Sequence, residues 1–319
     1  MTTYIIRRLF HALIVLILVT LLVFFVMRLL PGDPIIIYIA QTAQLEAMPP
    51  EMIDTLRHEF GLDKPLMVQY INWVGNIFRS DLGTSIFYHE QVDKLMLERF
   101  PVTLHLGILA FIVGGVLGIS AGLVAAIRRG TWVDKIVTPL TYIGITIPVF
   151  WLGILMIYTF GLKLHWLPIA GYTSPFTDLW LSTKQVVMPV ICLAIFPLAA
   201  NARQMRSAML EVVRQDYIRT AWSKGISESR IVIIHALKNS LIPVITLMGI
   251  GVGMIFGGAV LVETVFAIPG VGRLLVSSIL GQDYVVVQGI TLTIATIVLV
   301  INLLVDVSYG WFDPKIRYG

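Results

Sequence analysis

Charge is scarce in this chain. Asp, Glu, Lys and Arg make up 13% of its 319 residues, against roughly 25% in a soluble domain. So little polar side chain excludes a soluble globule, a solenoid and a disordered tail. There is one cysteine, Cys192. That excludes an intrachain disulfide framework and a cysteine-paired metal site, and its place in an apolar run suits packing. No G-x-x-x-x-G-K-[ST] loop is present, so the chain is not expected to hydrolyse ATP itself, and no H-E-x-x-H zinc site occurs. The 23 basic residues leave a net charge of only +4. They are spread along the chain, where nucleic-acid binding would need them gathered on one soluble face.

What is there is apolar. The AVILMFWYC set reaches 57%, with 26 glycines besides. The surplus falls in six stretches, 9–30, 102–127, 136–160, 186–200, 241–262 and 285–305. A helix needs about 20 residues to cross hydrocarbon, and most of these reach it. The fourth is short and is expected to continue through 201–209. The first has too long an apolar core for a signal peptide and no close small-residue cleavage site, so it reads as an anchor oriented by Arg7 and Arg8.

Basic residues set the orientation. The N-terminus, the 128–135 connection, the 203–238 connection and the tail with Lys315 and Arg317 share one side. The opposing short loops carry only Lys163, Lys184 and Arg273. Both termini are therefore expected to be cytoplasmic. Trp132, Trp166, Trp180 and Trp311 suit interfacial anchoring. The reading is an all-α polytopic membrane protein of six transmembrane helices. Its parts are 1–30 (cytoplasmic end and first span), an extracytoplasmic helical segment 31–100, five helices over 101–309 and a cytoplasmic tail 310–319.

The outer segment is expected to hold two amphipathic helices. Pro50 opens one that Gly61 ends; Pro65 opens another with Leu66, Tyr70, Trp73 and Ile77 on one face. Inside, 209–240 is polar and basic. There 216–225 reads as a short helix with Gly225 just past its end. Ser227 would cap a second, and the two would form a compact knob that suits a soluble partner.

Gly118-Ile119-Ser120-Ala121-Gly122 matches the G-x-S-x-G string of serine hydrolases. It falls in a transmembrane stretch, where Gly114, Gly118 and Gly122 line one helix face and suit close packing. Gly249, Gly253 and Gly257 repeat the pattern, suggesting two spans in close contact. His11, His105 and Arg28 sit near span ends, and Asp306 lies near Asn302 at the end of the sixth. No stretch has a carboxylate at its centre, which argues against a proton- or sodium-driven secondary carrier.

A family resemblance rests on specific strings. Asp216–Gly225 followed by His235-Ala236-Leu237-Lys238-Asn239 resembles the E-A-A loop of permease subunits in binding-protein-dependent ABC importers. Arg219-Thr220-Ala221 stands at the E-A-A positions and Gly225 is the glycine. The Glu and the later Pro are missing, as in the dipeptide/oligopeptide branch. Further strings are similar to the same branch: Pro31-Gly32-Asp33-Pro34, Gly61-Leu62-Asp63-Lys64-Pro65, Asp81-Leu82-Gly83, Ile147-Pro148-Val149-Phe150-Trp151, Glu263-Thr264-Val265-Phe266, Pro269-Gly270-Val271-Gly272-Arg273 and Asp283-Tyr284.

The resemblance implies a type I ABC importer transmembrane domain, multi-pass in a bacterial or archaeal cytoplasmic membrane, and a translocation subunit that is not itself an enzyme. It implies import of di- or oligopeptides; nickel, glutathione, haem and oligosaccharide importers use similar chains. Partners would be a second, homologous permease (a heterodimer), two cytoplasmic ATPase subunits, an extracytoplasmic binding protein and the bilayer. No cofactor belongs to this chain; ATP and Mg would sit on the ATPases. Asp216, Tyr217, Arg219, Thr220, Ala221, Lys224, Gly225, Arg230 and His235 would form the coupling contact. Glu263, Phe266, Pro269 and Gly270 would belong to a loop closing the outer side. Tyr142, Thr146, Phe150 and Asn201 are candidates for the substrate pathway, and no residue is catalytic or holds a metal.

Overall fold

A computed structural model describes the backbone of residues 2–41 and 49–312, and side chains within 6–40, 49 and 51–305. Lys315 and Arg317 lie outside the described residues, as do the side chains of Asp306 and Trp311. The described chain is helical, with one isolated bridge between Thr84 and Gln91. Two compact units divide it. One holds 103–268 with the extreme N-terminus and 300–319; the other holds 6–102 and 269–299.

The helices are α1 (Thr2–Leu29), α2 (Pro34–Gln41), α3 (Pro50–Glu59), α4 (Leu66–Ile77), α5 (Val92–Ile127), α6 (Trp132–Thr146), α7 (Val149–Met156), α8 (Leu179–Val212), α9 (Asp216–Ser223), α10 (Glu228–Arg230), α11 (Lys238–Val265), α12 (Val271–Leu280) and α13 (Tyr284–Phe312). Five helices among the described residues are long and apolar enough to cross a membrane, or six if α6 and α7 make one bent span.

The third stretch, which reads in sequence as a single span, is sharply bent. It is broken by 104° between α6 and the helix running from Val149 to Lys163. The cause is Pro148. The residue before a proline is driven out of the helical region, and Ile147 is extended at φ −67°, ψ 126°. α8 extends the fourth stretch in both directions, from Leu179 to Val212. α5 begins at Val92, ten residues before the apolar run, and keeps Pro101 inside.

In the 103–268 unit, α8 is the element on which α6 and α11 chiefly pack. Glycine permits the close approach of α5 to it. A Cβ on Gly118 would lie 2.6 Å from the Leu198 carbonyl oxygen, and one on Gly122 would run into that of Ala202. Gly144 of α6 admits the Ala199 methyl in the same way. The second glycine row does not meet the first: Gly249 faces Val305 and Gly257 faces open space. Ser120 is exposed in the middle of α5, with no strand–turn–helix elbow around it.

In the other unit, Trp73, Tyr70 and Ile77 of α4 pack with Phe24 and Met27 of α1 and with Tyr284 and Val287 of α13. Leu66 stays exposed, so the expected apolar face is one residue shorter. α3 starts at Pro50 and ends before Gly61, whose φ of +64° suits glycine.

Gly122→Val should prevent α5 from seating on α8, and Ser120→Ala should be silent. Size-exclusion profiles in detergent check both: aggregation or loss for the first, a native peak for the second. A native peak for Gly122→Val would contradict the packing described.

Candidate functional site

The segment after α8 builds one exposed helix on a buried footing. α9 is eight residues long. Ile218 is fully buried and Ala221 nearly so. Both join a cluster with Met205 and Met209 of α8, Ala126 of α5, Ile231, Ala236 and Val244. The remaining face, Asp216, Tyr217, Arg219, Thr220, Trp222 and Ser223, is exposed, as is Lys224 just beyond it. Ala221 therefore holds the helix down and offers no outer surface. Trp222, exposed at 46%, shares the face and is absent from the sequence-derived set; being a large exposed aromatic on a polar helix is the signal that could have found it. The Asp216–Arg219 ion pair, 3.5 Å apart and mostly exposed, adds little stability.

Gly225 ends α9 by geometry. Its φ is +75°. Its N–H donates to the Trp222 carbonyl and the Ile226 N–H donates to that of Ala221, the paired bonds of a helix stop with a left-handed residue. Nothing lies within 4 Å of a Cβ placed there, so the backbone angle alone selects glycine.

The expected second short helix is the start of a long one. Glu228–Val265 is one continuous 38-residue helix, with π-helical turns over Ile231–Leu237. Ser227 stands at its N-cap with extended backbone, but its side chain makes no capping bond. The knob is thus one helix and one turn. Arg230 is exposed in the first turn and His235 is half-buried within the π segment. Asn239 Nδ2 donates to Tyr217 Oη at 2.7 Å, tying the exposed helix to the next. Asn239 is part of the motif quoted above, yet only the fold reveals its partner.

The pathway candidates do not come together. Tyr142, Thr146 and Phe150 are exposed on α6 and α7, and the Thr146 hydroxyl donates to its own helix at the Tyr142 and Ile143 carbonyls. Asn201 is buried; its Nδ2 donates to the Gly114 carbonyl at 3.3 Å, across the α5–α8 contact. Tyr142 lines a polar cavity of about 300 Å³ with Thr138, Arg203, Gln204 and Arg206. Behind it Arg206 makes a two-point pair with Asp134, Nε to Oδ1 at 2.6 Å and Nη2 to Oδ2 at 3.0 Å. The Gly130 N–H and the Thr138 hydroxyl complete the carboxylate's partners. Charge composition gave no hint of this pairing between α6 and α8.

Glu263 is fully buried, and the Thr103 hydroxyl donates to its Oε1 at 2.6 Å. Its carbonyl accepts the Ile268 N–H in the turn that carries buried Phe266. In the other unit Pro269 is exposed and Gly270 is the N-cap of α12. α12 is a packed helix: Val271 and Leu274 sit with Val92, Leu95, Met96, Val286 and Ile290.

Three further strings cited above are structural locks of that unit. Asp33 caps α2 through the Ile35 N–H at 2.9 Å and pairs with Arg57 at 2.8 Å. That hydrogen-bonded carboxylate raises the Arg57 pKa. Gly83, at φ +89°, leaves no room for a Cβ against Val285. Asp283 is buried at the head of α13 and accepts the Ser85 hydroxyl at 2.5 Å and the Phe87 N–H at 3.1 Å.

Ile218→Ala removes the buried anchor of the exposed helix and should cost about 2–4 kcal/mol. A lowered thermal midpoint in detergent, with Thr220→Ala unchanged, is the expected result.

Two family models match the sequence. The binding-protein-dependent transport system inner membrane component covers residues 118–318, and the N-terminal component of such membrane proteins covers 1–107. A peptide transport system permease protein of Brucella abortus (strain 2308) is 43% identical over 100% of both chains. The di/tripeptide transport system permease protein DppB of Pseudomonas aeruginosa (strain UCBPP-PA14) is 40% identical over 94% of each. Among solved structures, an inward-facing MetNI methionine ABC transporter aligns with a TM-score of 0.56 at 18% identity, over 69% of this chain and 96% of that one. The last likeness is one of fold.

Proposed function

As a member of the family of binding-protein-dependent transport system inner membrane components, this chain is a multi-pass inner-membrane permease, and we propose the route by which it is driven. It is the translocation subunit of an ABC importer of peptides, in keeping with relatives named for peptide and di/tripeptide transport. It is a transport component and not itself catalytic. Energy is supplied by two ATPase subunits that bind ATP and Mg, and substrate arrives on an extracytoplasmic binding protein. A second, homologous permease completes a heterodimer.

One observation carries the reading. α9 presents a polar and aromatic face while Ile218 and Ala221 fix it in a cluster shared by α5, α8 and α11. A partner that moves this face therefore moves the footing of three long helices. Asp216, Tyr217, Arg219, Thr220, Trp222, Lys224 and Arg230 form the contact. Gly225 sets the exit angle of the chain, and His235 stands behind it in the π turns. Both termini and this loop lie on the cytoplasmic side in this reading, which the distribution of basic residues supports. ATP-driven closure of the ATPases switches the permease pair between inward- and outward-facing states, a two-state change biased by ligand. The turn at Glu263 and Phe266, with Pro269 and Gly270 after it, closes the outer side. The exposed side chains of Tyr142, Thr146 and Phe150 face the pathway or the second permease, and Asn201 serves packing.

Replacing Gly225 by Pro should uncouple the complex. In proteoliposomes containing all subunits, ATP hydrolysis should continue while uptake of a radiolabelled tripeptide falls at least about tenfold, the scale expected when a fixed left-handed turn is lost. Gly225→Asn, which tolerates that backbone angle, should retain most uptake. Full uptake by Gly225→Pro would end the proposal.

A further inference from the structure

α4 divides its surface into three sectors. At about 100° per residue, Tyr70, Trp73, Val74 and Ile77 share one sector, and all four belong to the cluster with α1 and α13. Gln69, Asn72 and Asn76 share a second, narrow sector and line a cavity of about 620 Å³ together with Arg28, Lys64 and Asp81. Met67, Ile71 and the C-cap residue Phe78 share the third. They are 60%, 64% and 86% exposed, and Val68 and Gly75 beside them are exposed as well. The helix carries no charged residue. An exposed apolar stripe on a helix that is already packed along another side marks a second contact.

The packing on α1 fixes the level at which this stripe stands. Between Arg8 and Arg28, α1 runs through Leu9–Met27 without Asp, Glu, Lys or Arg. At about 1.5 Å per residue that run spans about 28 Å, close to the roughly 30 Å of hydrocarbon in a bilayer. The Tyr70 and Thr20 hydroxyls are hydrogen-bonded at 3.0 Å, and Thr20 lies about 12 Å along the axis from Arg28. The Tyr70 and Trp73 rings lie on Phe24, with centroids 5.2 and 6.1 Å away, and Gln69 meets Arg28 at 3.0 Å. α4 is therefore seated from the charged end of the span down into its apolar part. Interfacial helices bury their apolar face by about 5–10 Å. Two further observations favour lipid over protein as the cover. α1 is the least buried of the five long spans, and its Leu18, Leu22 and Val26, at the levels that α4 touches, remain exposed. Lys64 and Arg79, both exposed, bracket α4 in sequence. Long cationic side chains reach headgroups from such places, whereas the cores of protein interfaces are depleted in charge.

We propose that α4 is an interfacial helix covered by the bilayer. Met67, Ile71 and Phe78 are embedded among the acyl chains of the leaflet at the C-terminal end of α1. Lys64 and Arg79 lie with the headgroups, and Gln69, Asn72 and Asn76 turn to the polar cavity. The helix thereby pins the 31–100 segment to the membrane surface, in addition to the spans that cross it. This surface is distinct from the exposed α9 face, and the proposal does not depend on how the permease is driven.

Photocrosslinking of the complete transporter tests the assignment. Three variants are made, Ile71→benzoylphenylalanine, Phe78→benzoylphenylalanine and Asn72→benzoylphenylalanine. Each is reconstituted with all subunits and the binding protein in proteoliposomes of phosphatidylethanolamine and phosphatidylglycerol carrying tritiated acyl chains. Irradiation should join tritium to this chain from positions 71 and 78, severalfold more than from position 72. The change at 78 exchanges one aromatic for another and covers the case where the change at 71 prevents assembly. Crosslinks from 71 and 78 to the second permease or to the binding protein would overturn the proposal and give the stripe to that chain. Equal lipid capture from position 72, or no lipid adduct from 71 and 78, would overturn it as well.

Discussion

The contact between α5 and α8 is the constraint on which the 103–268 unit depends. Between helices in lipid, association is driven by packing, interhelical hydrogen bonds and lipid entropy, because the surrounding tails are as apolar as the side chains. Gly118 and Gly122 bring α5 against the carbonyls of Leu198 and Ala202, a distance that no residue with a Cβ reaches. Asn201 then bonds the Gly114 carbonyl across the same seam. α8 is thereby fixed along one side, while α6 and α11 pack on its other sides. The cluster that anchors α9 sits at the end of this assembly, between Ala126, Met205 and Met209. The exposed helix therefore inherits its position from the glycine seam.

Polar residues in this chain are few, and the fold uses them in pairs. Asp134 with Arg206, Glu263 with Thr103 and Asp283 with Ser85 each join elements far apart in sequence. Removing Arg206 leaves the Asp134 carboxylate uncompensated, which is costlier than never having had the pair, and removing either hydroxyl takes a donor from a buried carboxylate. None of these carboxylates lies in the middle of a long apolar stretch. That matches a transporter whose energy comes from separate ATPase subunits and which has no need of a midplane proton or sodium relay.

Much of the fold was legible because hydrophobic length is a local property. The cores of all six stretches lie in helices, and the α9 stop at Gly225 follows from residue type. Other features depended on information no window contains. The 104° break at Pro148 needed a choice between a kink tolerated in a helix, as at Pro101, Pro189, Pro197 and Pro243, and a full stop. α5 begins at Val92 because Val92, Leu95 and Met96 find a tertiary core in α12 and α13, although the sequence before 102 is too charged to read as a span. The second helix of the 209–240 segment looked separate because its first turn is polar, yet it runs unbroken into α11. At the site, the exposed residues of α9 other than Trp222 and Ser223 could be read from the motif. The inward turn of Ala221 and the bond between Asn239 and Tyr217 could not, since both depend on which face meets the core.

The family strings acquire different physical meanings once placed. Those around Asp33, Gly83 and Asp283 are locks: a cap, a glycine with no room for a side chain, and a buried carboxylate filled with donors. Locks of this kind hold a unit rigid and carry no message. The string over 216–225 differs because half of it is satisfied internally and half is left facing outward. Ile218 and Ala221 are finished contacts, whereas Tyr217, Arg219, Thr220 and Trp222 present surface. A motif whose residues are all internally satisfied explains a fold, and one with an unsatisfied face implies a partner. By that criterion α9 is the face proposed to meet the ATPases.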